Sequence, residues 1–426
     1  MFSSKSFSFQ SLAIMSVTVA LAPRLAFAQG DTTQNAQSTG APGVAVKWNN
    51  GLDVATTDGA NEFQVGGLVQ VDGRFTTDDP IHAVTDTLVL RRVRPIFQGR
   101  AGKYFEFRLM PDFGNGTTVL FDAYFDTKLS KSFRIRVGKD KTPVGLEQLY
   151  SDYAVLFPER SLVTNLVPNR DIGIQAQGDL GGGVLSYIGA VFNGVPDAAN
   201  ADIDTNSGKD LAGRLTLKPF FRTSIAALKG AGVAVGGTSG QQAGTLPSFK
   251  STAQQTFFSY ASTATANGDR TRVSPAAFYY YKSLGAFAEY AKTAQEVKGA
   301  KTSAEITNTA WEVTGSVVLT GEAANERGVM PKRPFDPAQN HWGALQLIVR
   351  HSRLAVDPLA FADGFAAANT SRTASATGIG ASLYASSYVK YVLTFERTVF
   401  DDNPNASRRP EHAIVFRLQF NLQPSL

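Results

Sequence analysis

The sequence predicts an all-β fold: a closed antiparallel transmembrane β-barrel of about 16 strands, with a long loop folded into its lumen. Three observations carry this. From about Asn61 onward, apolar and polar residues alternate at period two with few interruptions, and strand side chains point to opposite faces at that period. The chain opens with an export segment yet contains no cysteine, so no disulfide staples it. After Ala28 no apolar run approaches the roughly 18 residues that would suggest a membrane-spanning helix.

Taken in order, the first element is a signal peptide over 1–28. Lys5 supplies a positive start, 11–22 is the apolar run "SLAIMSVTVALA", and Ala26-Phe27-Ala28 is a small-x-small cleavage site. The run is shorter than the roughly 20 residues a membrane anchor needs. Residues 29–60 read as a flexible polar leader, because 29–42 is rich in Thr, Gln, Ser and Gly without periodicity. The barrel occupies 61–426. The formal charge of +5 falls to about +3 once Lys5 and Arg24 leave, which selects no partner by itself. With 39 glycines and 11% aromatic residues, the composition suits strands and turns better than helices.

The first strands show the pattern most clearly. Val69 and Val71 alternate with Gln70 and Asp72, and Phe105, Phe107 and Leu109 with Glu106 and Arg108. Phe121, Ala123 and Phe125 oppose Asp122, Tyr124 and Asp126. In "SFRIRVGK" (132–139), Phe133, Ile135 and Val137 oppose Arg134 and Arg136. Further candidates lie near 172–179, 184–193, 211–218, 224–235, 273–281, 284–293, 309–319, 344–350, 377–386, 388–396 and 412–420. Gly181-Gly182-Gly183 and the polar stretch 401–405 are among the breaks. The absence of a repeat of fixed period argues against a propeller or solenoid.

The polar face separates the two ways of using such strands. A soluble sandwich packs its apolar faces together and shows bulk water a polar exterior. A membrane barrel turns the apolar face to lipid and encloses water. Here the polar face mixes Arg91, Arg108, Arg134 and Arg136 with Glu106 and Asp122, which suits an enclosed aqueous lumen. In hydrocarbon an unsatisfied backbone group costs several kcal/mol, so a spanning sheet must close. Closure also removes the exposed strand edges. Tyr279-Tyr280-Tyr281, Phe257-Phe258 and Tyr384 with Tyr388 fit interfacial girdles.

Between two strong strands lies 140–170, "DKTPVGLEQLYSDYAVLFPERSLVTNLVPNR". It is far longer than an ordinary connection. Leu146, Leu149, Tyr153, Val155, Phe157, Leu162, Val163, Leu166 and Val167 need a dry surface, which predicts that the segment folds back into the barrel and narrows it.

"LRRVRPIFQGR", then "VGKDKTPVGLEQL", then "PERSL…PNRDIGIQAQG", in this order and spacing, resemble the phosphate-selective porins of the O and P type. The resemblance spans essentially the whole chain after residue 28, most specifically 90–178. It implies an outer-membrane barrel of a Gram-negative bacterium, assembled as a homotrimer, that passes inorganic phosphate or other small anions through an arginine-lined constriction. Carried over residue by residue, the family's double arginine falls on Arg91 and Arg92 and its constriction aspartate on Asp122. Its loop arginine falls on Arg160, its loop serine on Ser151, and its paired downstream arginines on Arg270 and Arg272. The chain departs from the pattern at Gln148, where the family carries a lysine, and at Asp152, where it carries a hydroxyl. Both changes lower the positive potential. Phe420 is followed by six residues rather than ending the chain.

The chemistry is consistent with that resemblance. A guanidinium is always charged and matches two oxygens of a tetrahedral oxyanion at once. Arg108, Arg134, Arg136, Glu106, Gln148 and Asp152 are expected to line the channel beside the anion-binding set. Arg91 and Arg92 are adjacent and cannot both enter the lumen from a regular strand; one sits at a bulge, near an interface, or against an acid. No catalytic constellation, cofactor motif or metal spacing is legible: His82, His341, His351 and His412 are scattered, and cysteine chemistry is excluded. Nucleic-acid binding is not expected, because basic and acidic residues interleave. Two alternatives remain open: a general diffusion porin of weak selectivity, and a soluble periplasmic β-sheet binding protein.

Overall fold

The computed structural model describes residues 43–48, 50–77, 85–202, 204, 206–401 and 408–423. The signal peptide, the leader as far as residue 42, the break at 402–405 and the last three residues lie outside them.

The strands are β1 (Val44–Trp48), β2 (Leu52–Thr56), β3 (Glu62–Thr77), β4 (Thr87–Ala101), β5 (Phe105–Asp112), β6 (Val119–Lys128) and β7 (Arg134–Lys141). Then follow β8 (Arg170–Leu180), β9 (Leu185–Phe192), β10 (Asp210–Leu217), β11 (Ala231–Gly244), β12 (Phe249–Lys250), β13 (Thr256–Phe258) and β14 (Thr265–Tyr281). The last six are β15 (Leu284–Lys298), β16 (Ser303–Val318), β17 (Ala344–Ala355), β18 (Thr373–Tyr384), β19 (Val389–Asp401) and β20 (Glu411–Leu422). β3 to β11 and β14 to β20 are the 16 strands of one closed antiparallel barrel. Each pairs with its neighbours, and β20 returns to β3 with Phe420 opposite Val69. No strand edge is left open around the ring, as hydrocarbon requires. β12 and β13 form a small separate hairpin in a loop.

The outer face is apolar. Leu88, Phe105, Phe125, Ile174, Leu211, Ile379 and Leu393 are each more than half exposed, while their strand neighbours point inward. One belt of this kind requires lipid, which sets aside the soluble alternative.

Most connections at one end are short: 102–104, 129–133, 181–184, 282–283 and 385–388. The other end carries the longer loops, including 142–169, 193–209, 245–264 and 356–372. We call them the turn end and the loop end. One turn-end connection, 319–343, is long and folds back: the Ala324 amide donates to the Lys282 carbonyl (2.8 Å), and Val329 packs with Val318 and Tyr384.

Three sequence expectations need correction. Residues 44–56, within the leader, form the β1–β2 hairpin, and β2 continues the sheet beside β3 where β20 has ended. Val44, Val46 and Trp48 supply the alternation, and Asn50-Gly51 supply the positive-φ turn. Phe257, Phe258 and Tyr384 are not girdle residues; all three are buried inside. The strand expected at 224–235 starts at Ala231, because 218–230 is an irregular turn with one 3-10 turn at Ala226–Leu228.

Candidate functional site

The long loop crosses the lumen. It turns inward at Gly145, whose φ of +85° favours glycine and whose missing Cβ would lie 3.0 Å from the Cβ of Gln148 and 3.3 Å from Glu289. A one-turn helix, α1 (Leu146–Leu149), follows. The Leu146 and Glu147 amides donate to the two oxygens of Glu289 on β15 (2.8 and 3.0 Å). Ser161 donates through its amide to Glu147 (2.7 Å) and through its hydroxyl to Glu312 on β16 (2.8 Å). Arg350 on β17 donates to the Glu159 carbonyl (3.0 Å) and to Glu396 (2.8 Å). The apolar residues expected to need dry surroundings find them here. Leu162, Val163, Leu166 and Val167 pack with Phe249, Phe258, Ile306 and Leu354 against the inner wall. Each such side chain contributes about 1.5–3 kcal/mol when fully buried.

The opposite wall carries arginines, and two β-bulges place its key side chains. Gln70 pairs with Arg92 but Val71 with Leu90, so Arg91 is the extra residue. Both adjacent arginines thereby reach the lumen. Gly114 supports the bulge, since a Cβ there would meet the Arg91 carbonyl at 2.5 Å. Likewise Met110 pairs with Asp122 and Pro111 with Leu120, leaving Phe121 extra. Phe121, expected to face lipid with Phe125, instead lies inside between two guanidiniums. Arg94 is 4.0 Å and Arg170 4.3 Å from its ring centroid.

A cavity of about 510 Å³ lies between this wall, the loop and the loop-end connections. Arg91, Arg92, Arg94, Arg160 and Arg170 line it with Gln148, Asp152 and Glu159. Arg91 donates to both oxygens of Glu159 (2.5 and 3.0 Å). Arg92 donates to Gln70 (2.6 Å) and sits 3.4 Å from Asp152, with its buried Nε unpartnered. Arg94 bridges Asp112 (2.7 Å) and Asp152. Arg170 donates to Asp122 (2.8 Å), which also pairs with Arg108 (3.3 Å). Arg417 holds Asp72 through two donors (2.6 and 2.7 Å), and Arg74 reaches Glu159 (2.6 Å). Eight guanidiniums (74, 91, 92, 94, 108, 160, 170 and 417) thus meet five carboxylates (72, 112, 122, 152 and 159), an excess of three positive charges.

Two of the loop carboxylates, Asp152 and Glu159, are held in the ionised form. Burial pushes Asp152 up, but the Arg160, Arg92 and Arg94 charges outweigh it and hold the group well below the usual range. Glu159 is likewise pushed up by burial and brought far lower by Arg91, Arg92 and Arg74. Each acid fixes several arginines in place without cancelling the excess.

The predicted residues separate into groups. Arg91, Arg92, Arg160, Gln148 and Asp152 come together at the cavity, and Asp122 stands just behind it on Arg170. Arg160 also braces the loop, donating to the Glu147 and Tyr150 carbonyls (3.0 and 2.8 Å) and to Asp152 (2.6 Å). Ser151 is exposed and does not line the cavity. Arg270 and Arg272 do not line the cavity; they are buried against Asp210 and Asp197 (2.8 and 2.6 Å), of which Asp197 does line it, and hold the 193–209 loop. Arg134 and Arg136 pair with Asp126 (3.4 and 2.7 Å), Arg108 with Gln98 (2.6 Å), and Glu106 with Lys128 (2.9 Å). The sequence reading missed Arg94, Arg170, Glu159 and Arg417. Arg94 was legible two residues beyond Arg92 on the same face; Arg417 was not, because its partner Asp72 is 345 residues away.

Several solved structures share the fold. The outer membrane channel DcaP of Acinetobacter baumannii matches with a TM-score of 0.55 and 11% identity, covering 86% of this chain and 99% of that one. An anion-selective porin from Comamonas acidovorans matches with a TM-score of 0.52 and 10% identity, covering 85% and 99%. The trimer form of OmpT from Vibrio cholerae matches at 0.50 and 10%, covering 85% and 99%. No curated protein matches the chain by sequence. The sequence pattern of one family, phosphate-selective porin O and P, matches residues 63–422. With a closed 16-strand barrel around a polar lumen, the chain belongs to that family and is an outer-membrane porin channel.

Proposed function

We propose that the channel passes small anions and prefers phosphate or related oxyanions, with Arg91, Arg92, Arg94 and Arg170 as the groups that meet the ion. The observation that carries this is one ion-paired network of eight guanidiniums and five carboxylates, five of those guanidiniums lining one cavity on the loop side of the constriction. At 4 Å and an effective dielectric of 20, a unit pair is worth about 4 kcal/mol. A few such contacts offset partial dehydration without trapping the ion, and throughput needs that balance. Arg160 acts mainly by fixing the loop. The anion selectivity of the Comamonas acidovorans porin supports the same direction. A homotrimer is supported by the trimer form of OmpT, and export through a signal peptide cleaved near Ala28 by the sequence at 1–28.

Reversal potential in a KCl gradient across a planar bilayer tests the reading, followed by titration of phosphate into the chloride current. Anion-selective potentials and partial block support it. Cation selectivity overturns the site assignment. Anion selectivity without block by phosphate favours the second reading, a general diffusion porin, for which Asp152 and Glu159 speak by neutralising part of the arginine charge.

A further inference from the structure

Asp152 and Tyr153 are consecutive, yet they face opposite sides of the loop. Asp152 lines the loop-end cavity, whereas Tyr153 lines a second cavity of about 370 Å³ at the turn end. The folded-back connection supplies one side of this cavity through Arg327 and Met330. The end of β18, the turn after it and β19 supply the other through Tyr384, Tyr388 and Lys390.

The chemistry here differs from that of the arginine wall. Every guanidinium of that wall has a carboxylate or amide oxygen. None of the residues lining the second cavity is acidic. The Lys390 side chain is almost fully buried; its ammonium donates to the Val155 carbonyl (2.9 Å) and lies 5.1 Å from the Tyr384 ring centroid. Neither Lys390 nor Arg327 makes an ion pair with any described residue. A buried ammonium lacking a counter-charge is costly. Three tyrosines and a methionine also line the cavity, surfaces that suit a flat apolar body. The volume falls within the roughly 300–1,000 Å³ of small-molecule sites.

We infer that this cavity is a second binding station, on the turn side of the constriction, for an organic carboxylate with an aromatic body. Lys390 meets the carboxylate, Arg327 attracts it at the mouth, and Tyr153, Tyr384 and Tyr388 enclose the ring. Inorganic phosphate has no apolar surface for those rings. The inference rests on the open barrel and is independent of phosphate preference.

The test uses the folded protein in detergent, titrated calorimetrically with sodium benzoate, acetate and phosphate. Benzoate should bind at least tenfold tighter than acetate. Lys390→Met should weaken benzoate at least tenfold while leaving phosphate block of the chloride current unchanged. Arg327→Ala, at an exposed position that does not endanger folding, should weaken benzoate severalfold. Equal affinity for benzoate and acetate, or unchanged benzoate affinity in both variants, overturns the inference. Loss of phosphate block in the wild type with benzoate discrimination intact would overturn the phosphate reading alone.

Discussion

Asp152→Asn tests how the constriction sets anion affinity. Asp152 lies 2.6 Å from Arg160 and 3.4 Å from Arg92, and also pairs with Arg94. Removing its charge raises the local excess from three to four. An anion on the far side of one of these guanidiniums sits about 7 Å from the carboxylate, where a unit repulsion is about 2.4 kcal/mol at an effective dielectric of 20. Screening over a Debye length of about 8 Å reduces this to about 1 kcal/mol, or roughly fivefold in occupancy. The asparagine keeps the size of the side chain, and the loop keeps its apolar packing and its Glu289 and Glu312 anchors. In a planar bilayer the half-blocking phosphate concentration should therefore fall about fivefold, with the reversal potential moving further toward that of chloride. A rise in that concentration, or no change, would refute the view that Asp152 moderates the field at the ion.

Acid should act late. Asp152 and Glu159 have depressed values in the fold, so their ion pairs hold the loop at full strength above about pH 4 and weaken only as pH falls through the lowered values. The part of the ion selectivity set by these two carboxylates should then stay flat between pH 8 and about 4.5; a transition near pH 6 that Asp152→Asn abolishes contradicts this. Leu166→Asp should release the loop, because it removes about 2–3 kcal/mol of apolar burial and adds a charge to a dry cluster. Single-channel conductance should rise while the barrel keeps its heat-modifiable migration on gels. Arg270→Met should leave phosphate block within about twofold, since Arg270 is tied to Asp210 and does not line the cavity; a tenfold loss would restore it to the anion path.

The sequence by itself determined the barrel. Period-two alternation needs only local geometry, so the count of strands, the lipid-facing rows such as Phe125 and Val137, and the inward rows such as Arg134 and Arg136 were legible from side-chain order. The apolar content of 140–170 likewise required a dry partner, and the lumen supplied it. Tertiary structure alone decided which charges meet. The Arg91 and Phe121 bulges break the period that the reading depends on: the first lets both Arg91 and Arg92 enter the lumen, and the second turns Phe121 inward from the expected lipid face. Glu159 reaches Arg91 and Arg74, and Arg417 reaches Asp72, only because a loop crosses the lumen and the last strand closes on the first. Arg270 and Arg272 share their spacing with a ligand ladder but find Asp210 and Asp197 instead. Alternation follows from backbone stereochemistry within a few residues, whereas an ion pair depends on separation in space, which the order of residues along the chain does not contain.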